Sequence, residues 1–206
     1  MSSPFPTDAF DRADETPDAL FYRLARLVVH VDQPTLDALT AYYTEVLFEG
    51  ADVLDLMTSW VSHLPESPAL GRVAGLGMNA EELAANPRLT ESCVQDLNAL
   101  PRLPYADESF DFVLNTVSVQ YLTRPLEVFA EVGRILRPGG RSIVAMSHRC
   151  FPTKAIRAFH APGAAERYRI VGCYHDESNV FETPAEIDRS PRGADPLWIV
   201  SATRKA

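Results

Sequence analysis

Five histidines, His30, His63, His148, His160 and His175, are the side chains that can exchange a proton near neutral pH. His30 and Asp32 lie in Val29-His30-Val31-Asp32, just before the second helical segment. His148 follows an apolar run over residues 142–146, where a buried strand would end. These two are the candidate general bases, with Asp32 as the orienting acid. The competing reading for every histidine is a surface or structurally bonded ring. Tyr121, in Val119-Gln120-Tyr121-Leu122, would border a substrate pocket or sit in the core. Arg149 and Lys154 would attract an anion or remain solvated charges. Three cysteines, Cys93, Cys150 and Cys173, lie far apart with no C-x-x-C or paired-histidine spacing. That pattern carries neither a metal-ligand set nor a disulfide framework, and it fits inert thiols in a reducing compartment.

The elements that must position these groups follow from the apolar pattern. Residues 1–17 are polar, contain Pro4, Pro6 and Pro17, and read as a loose arm. A helical spacing of Leu20, Phe21, Leu24 and Leu27 begins at Asp18. A second helix opens at Pro34, presents Leu36, Leu39, Tyr43, Val46 and Leu47, and stops at Gly50. Short continuous apolar runs then recur at residues 53–56, 72–76, 93–94, 112–114 and 142–146. Pro65 and Pro68 interrupt the segment between the first two runs and leave room for one or two helical turns, which carry His63. A clear helix starts at Pro125, buries Leu126, Phe129, Val132 or Gly133, and Leu136, and ends at Pro138-Gly139-Gly140 with Arg134 and Arg137 near its negative end. Residues 180–188 and 197–203 read as two closing strands, an antiparallel hairpin at one sheet edge. Continuous apolar strands alternating with helices predict an α/β fold around a parallel sheet buried on both faces.

In such sheets ligands bind at the carboxyl ends of the strands. Four segments qualify: Asp55-Leu56-Met57-Thr58-Ser59-Trp60, Gly77-Met78-Asn79, Asp96-Leu97-Asn98 and Asn115-Thr116-Val117-Ser118. Their surroundings carry a resemblance. V-L-D-L, an N-A-E-E-L helix start, Q-D-L-N-A-L-P-R-L-P-Y-A-D-E-S-F-D-F-V, L-R-P-G-G and a terminal D-P-L-W-I-V, in that order, resemble the class I S-adenosylmethionine-dependent methyltransferases, nearest the small methyltransferase type 11 group. The likeness runs over residues 53–203. It implies a Rossmann-like three-layer sandwich, with a seven-stranded, mostly parallel sheet and one antiparallel edge strand. It implies S-adenosylmethionine as cofactor and methyl transfer to a small-molecule acceptor as activity. Asp96 would accept from the adenine amino group and the Leu97 amide would meet a ring nitrogen; a turn or cap role is the alternative for Asp96. Asp55 would help hold the methionine end or cap the next segment. Met57, Thr58, Ser59, Asn79 and Asn115 complete the expected cofactor contacts. N-terminal helices of the family often fold over the cofactor, which would bring in His30 and Asp32.

Two departures fall in the expected pocket. The glycine-rich turn of the family is here Met57-Thr58-Ser59-Trp60, so side chains should intrude or the loop should run differently. The acid that usually binds the ribose diol is replaced by Gly77, with Asn79 the nearest polar substitute. Either the pocket works in altered form, or the scaffold has lost cofactor binding. The stretch D-L-M-T-S-W-V-S-H-L-P resembles that of a subgroup of methyltransferase-like proteins, which favours an altered design. A non-catalytic binding protein is the alternative function, as is cofactor chemistry other than methyl transfer, either aminocarboxypropyl transfer or cyclisation.

The bulk properties agree with a single domain. The chain has 206 residues, enough to bury a core without metal or disulfide staples. Residues 1–50 are expected to form the arm and lid helices, and residues 51–206 the ligand-binding unit. A net charge of −9 with scattered basic residues disfavours nucleic acid as a partner. No apolar stretch is long enough to cross a bilayer, and the acidic N-terminus is unlike a signal peptide. A cytoplasmic protein with a small-molecule substrate is expected; no pattern specifies an oligomeric state.

Overall fold

The expected apolar runs become strands in a computed structural model, which describes residues 4–160 and 163–206. The chain forms α1 (Asp18–Phe21), α2 (Gln33–Val46), β1 (Val53–Leu56), β2 (Val73–Gly77), α3 (Ala80–Ala85), β3 (Glu91–Val94) and β4 (Phe110–Thr116). It continues through α4 (Pro125–Ile135), β5 (Leu136–Met146), α5 (Ala164–Ser178), β6 (Ala185–Asp188) and β7 (Trp198–Thr203). The seven strands lie in the order β3-β2-β1-β4-β5-β7-β6. β1 to β5 are mutually parallel, and β7 runs antiparallel to both β5 and β6. This is the Rossmann-like α/β arrangement and closing hairpin expected from the sequence.

Alternation along the strands divides the core. Leu54 and Leu56 of β1 join Val113, Val144 and Val200 beneath Phe129 and Val132 of α4 and Tyr174 of α5. Val53, Leu114, Ile143 and Ile199 face the other way, beneath Leu39, Tyr42 and Tyr43 of α2. Both sheet faces are therefore covered, which explains why β1 and β2 are buried at every position.

Three local expectations are corrected. The helix beginning at Asp18 ends at Phe21, and residues 22–31 form an irregular strap. Side chains of other elements take the strap's backbone groups: Glu82 accepts from Arg26 N at 2.7 Å, Trp60 donates to Val28 O at 3.0 Å, and Asn79 donates to Tyr22 O at 3.0 Å. These partners replace the repeating helical bonds and leave Leu20, Leu24 and Leu27 exposed. The helical turns expected between β1 and β2 are absent. There Asn86, Thr40 and Arg88 donate to the carbonyls of Ser59, His63 and Pro65, the groups a helix would need for itself.

The N-terminal arm is also not loose over its described residues. Phe5 and Phe10 pack on the Tyr174 ring, and Phe5 is buried. An ionic clasp fastens the arm further on. Arg12 pairs with Asp18 at 2.7 Å, and the fully buried Lys154 lies 3.2 Å from Asp18 and 3.4 Å from Asp14. Asn98 adds a hydrogen bond to Asp18 at 2.8 Å. The buried charges are thus paired and hydrogen-bonded, as burial requires.

Candidate functional site

Strand order reverses between β1 and β4, whose neighbours are β2 and β5, and a cleft opens at their carboxyl ends. It encloses about 1200 Å³ of space, its open mouth included. The residues after β1, β2, β3 and β4 supply its base, and the strap roofs it.

The glycine-free turn leaves this space open because it runs over β2. Met57 takes the left-handed conformation with φ 60°, and Thr58 N donates to Leu76 O at 2.9 Å. The Thr58 carbonyl then lies against Gly77, where a Cβ would meet it at 2.3 Å. At Gly75 a Cβ would meet the Leu89 side chain at 2.4 Å and Thr58 Cγ2 at 3.1 Å. The missing small residues have in effect moved from the turn to the strand beside it. An acid at position 77 is sterically excluded by the same carbonyl, so the two departures noted in the sequence have one cause. Trp60 leads out toward the strap, where its indole holds Val28.

Asp55 lines the cleft from the end of β1 with 3% of its surface exposed. The Thr58 hydroxyl donates to it at 2.5 Å, and the Ser62 hydroxyl also bonds to it. Among the described residues no cation pairs with it. Burial pushes its pKa up to about 7, against the pull of those hydroxyls. A buried carboxylate facing a cleft, with no cation among the described residues, has the chemistry to accept a ligand's ammonium group.

The far side of the cleft is built by Gln95, Asp96, Leu97 and Asn98. Asp96 Oδ1 accepts from Asn98 N at 2.9 Å and Ala99 N at 3.3 Å, which fixes the carboxylate and leaves Oδ2 without a partner among the described residues. The Leu97 N–H has no partner among the described residues. A carboxylate oxygen and an adjacent amide match the amino group and ring nitrogen of an adenine edge. The remaining expected contacts divide. Met57, Thr58 and Ser59 line the cleft. Asn79 caps α3 through Glu81 N and Glu82 N and tethers the strap, so its amide is already engaged. Asn115 is buried with Nδ2 on Leu56 O and does not line the cleft.

His30 stands at the rim, edge-on to Phe151 with ring centroids 5.3 Å apart. Desolvation lowers its pKa, Glu82 opposes the fall and Arg26 adds to it, which favours the neutral ring. The structure does not bring Asp32 to it. The Asp32 carboxylate caps α2 by accepting from Thr35 N and also accepts from Asp195 N, while Asp32 N donates to the Asp195 carboxylate. His148 lies outside the cleft, 3.2 Å from Asp195. His63 does line the cleft, and burial, with His30 nearby, lowers its pKa. Tyr121 also lines it, with its hydroxyl accepting from Phe151 N at 2.8 Å. Sequence reasoning passed over Arg26, Glu82, Ser118 and Phe151. Ser118 lay in a strand-end segment, Glu82 in the quoted helix start, and Arg26 had no local signal. The Ser118 hydroxyl is buried at the cleft wall, without a partner among the described residues.

The sheet order, the strand-end cleft and these polar groups define the class I S-adenosylmethionine-dependent methyltransferase fold. Residues 58–144 match a family described as a methyltransferase domain. The chain is 34% identical over 100 residues to the malonyl-[acyl-carrier protein] O-methyltransferase of Hahella chejuensis, covering 45% of this chain and 35% of that protein. It is 29% identical over 157 residues to the methyltransferase GfsG of Streptomyces halstedii, covering 67% of this chain and 56% of that one. The chain thus spans a third to a little over half the length of these relatives. The solved S-adenosylmethionine dependent methyltransferase of Mesorhizobium loti superposes with a TM-score of 0.56 at 17% identity, covering 82% of this chain and 100% of that one. The methyltransferase-domain match and these relatives make the chain similar to the S-adenosylmethionine-dependent methyltransferases, whose class I fold it has.

Proposed function

We propose that the cleft binds S-adenosylmethionine and that the protein transfers its methyl group to a small-molecule acceptor. The observation that carries this is the buried carboxylate of Asp55 at one strand end, facing the same cleft as Asp96 Oδ2 and Leu97 N–H at another, with no cation on the first and no partner on the others among the described residues. That donor set fits the cofactor. When bound, S-adenosylmethionine supplies an electrophilic methyl on a sulfonium.

The chain's residues then bind, orient and exclude water. Asp55 holds the ammonium, while Asp96 and Leu97 hold the adenine edge. Met57, Thr58 and Ser59 close the side over β2, where Glu82 holds the Ser59 hydroxyl. The strap covers the cleft, and positioning with desolvation supplies much of the acceleration such a displacement needs. If the acceptor must lose a proton, His30 is the first base to test, followed by His63. The absence of His148 from the cleft removes support for a direct role there.

Calorimetric titration with S-adenosylhomocysteine tests the binding step. The wild-type protein binds, and Asp96→Ala weakens binding by about 1–3 kcal/mol, the range for losing a buried hydrogen bond to a charged group. Unchanged affinity in the variant removes the adenine assignment. No binding by the wild type removes the cofactor reading itself. Product mass then distinguishes methyl transfer from aminocarboxypropyl transfer or an isomerisation.

A further inference from the structure

The two cations that the sequence offered to an anionic substrate are both engaged elsewhere. Lys154 is buried in the clasp with Asp14 and Asp18, and Arg149 lies 3.1 Å from Asp195. The cleft instead contains Arg26, the sole lysine or arginine among its described lining residues.

Its surroundings set it apart from a solvated surface arginine. The guanidinium carbon lies 4.5 Å from the centre of the Phe21 ring, 5.9 Å from Tyr22 and 5.6 Å from Phe151. Nη2 donates to Phe21 O at 2.8 Å. Nη1 is buried and has no hydrogen-bond partner among the described residues. No carboxylate among the described residues lies within ion-pair distance of the guanidinium; Glu82 takes the backbone N–H of Arg26 instead. A cation clamped among rings, with one nitrogen desolvated and unsatisfied, is costly unless an anion completes it. The planar guanidinium suits a carboxylate.

The position of the rings indicates which molecule brings that carboxylate. Asp96 marks the β3 end of the cleft and Asp55 its middle. The rings come from the strap and from the segments after β4 and β5, not from the strand ends that carry Asp55 and Asp96; Phe151 also meets His30 and stacks on Tyr121 at 5.9 Å. We infer, resting on the methyl-transfer reading of this cleft, that Arg26 recognises a carboxylate on the acceptor, whose apolar body lies among Tyr22, Tyr121 and Phe151. The acceptor is thus a small carboxylic acid, held by Arg26 beside His30.

The test uses benzoate as probe and benzamide as its neutral counterpart, each titrated by NMR into the full chain saturated with S-adenosylhomocysteine. Benzoate binds and benzamide binds more weakly. Arg26→Gln lowers benzoate affinity about ten-fold or more, and Arg26→Lys, which keeps the charge but loses the fork, recovers part of it. S-adenosylhomocysteine affinity stays within about two-fold of wild type in both variants. Equal binding of the two probes, or benzoate binding indifferent to Arg26, overturns the inference while the cofactor reading stands. A ten-fold loss of S-adenosylhomocysteine affinity in Arg26→Gln, with that of methylthioadenosine unchanged, also overturns it, because Arg26 would then hold the cofactor's own carboxylate. Failure of the wild type to bind S-adenosylhomocysteine removes the methyl-transfer reading and the acceptor role with it.

Discussion

Asp55→Asn raises the thermal stability of the ligand-free protein at pH 8 and sharply lowers its affinity for S-adenosylhomocysteine. Both effects follow from the buried carboxylate, whose pKa rises from 3.8 to about 7 on folding. In the unfolded chain this group loses its proton near pH 4; in the folded chain it keeps the proton until about pH 7. Between those values the folded state binds more protons, so its stability falls as pH rises. The favourable contribution is complete below pH 4 and gone above pH 7. A shift of this size corresponds to at most about 4 kcal/mol.

Asparagine retains an oxygen for the Thr58 hydroxyl and removes the charge. Its melting temperature should therefore match wild type near pH 4 and exceed it progressively toward pH 8. The ligand reverses the comparison. An ammonium group beside Asp55 stabilises the charged form, so wild-type affinity climbs as pH rises through about 7, while the ligand amine keeps its proton. The variant loses that dependence and binds about ten- to a hundred-fold more weakly, the range for a charge-assisted bond. Thermal melts across this pH range, with calorimetry at its two ends, check both halves. Parallel melting curves for the two proteins would refute the buried-charge account.

Gly77→Ala carries the other large effect. The added Cβ would lie 2.3 Å from Thr58 O and 3.1 Å from Leu83 Cδ2. The first obstacle is backbone, pinned by Thr58 N on Leu76 O and by Thr58 Oγ1 on Asp55, so it cannot swing aside. The loop must be displaced, at a cost of about 1–3 kcal/mol or more. Displacement also moves the Asp55 partner and the lining residues Met57 and Ser59, so S-adenosylhomocysteine affinity falls with stability. Gly172→Ala is the control. It sits inside α5 with nothing within 4 Å of the new Cβ, and it should gain about 0.5–1 kcal/mol. Denaturant unfolding of the two variants gives shifts of opposite sign. A neutral Gly77→Ala would show that the turn does not lean on β2.

The same geometry explains what an acid at position 77 would do. Restoring the family's usual residue there, with the Met57–Trp60 turn unchanged, adds to the steric conflict. The turn and the strand end form one unit, and only their joint replacement would return the pocket to the common family form.

How much of this was legible beforehand depended on the range of the forces involved. The strand runs, the parallel sheet, the closing hairpin and the helix at Pro125 were readable because burial on two faces or along one stripe writes itself into residues a few positions apart. Asp55 and Asp96 were readable as strand-end polar groups for the same reason. The strap, the helix-free path from Met57 to β2 and the anchored arm were not. Their backbone groups are satisfied by Glu82, Asn79, Asn86, Thr40 and Arg88, and their charges by Lys154, all distant in sequence.

By itself, then, the sequence determined the scaffold and the strand ends at which a ligand would sit, because periodic apolar burial is a local code. Tertiary structure alone decided that the glycine-free turn would lean on Gly77, that Asp55 would be buried without a cation, and that Arg26 rather than Arg149 or Lys154 would face the cleft. Those outcomes depend on close contacts and unmatched charges between segments that meet only when the chain has folded.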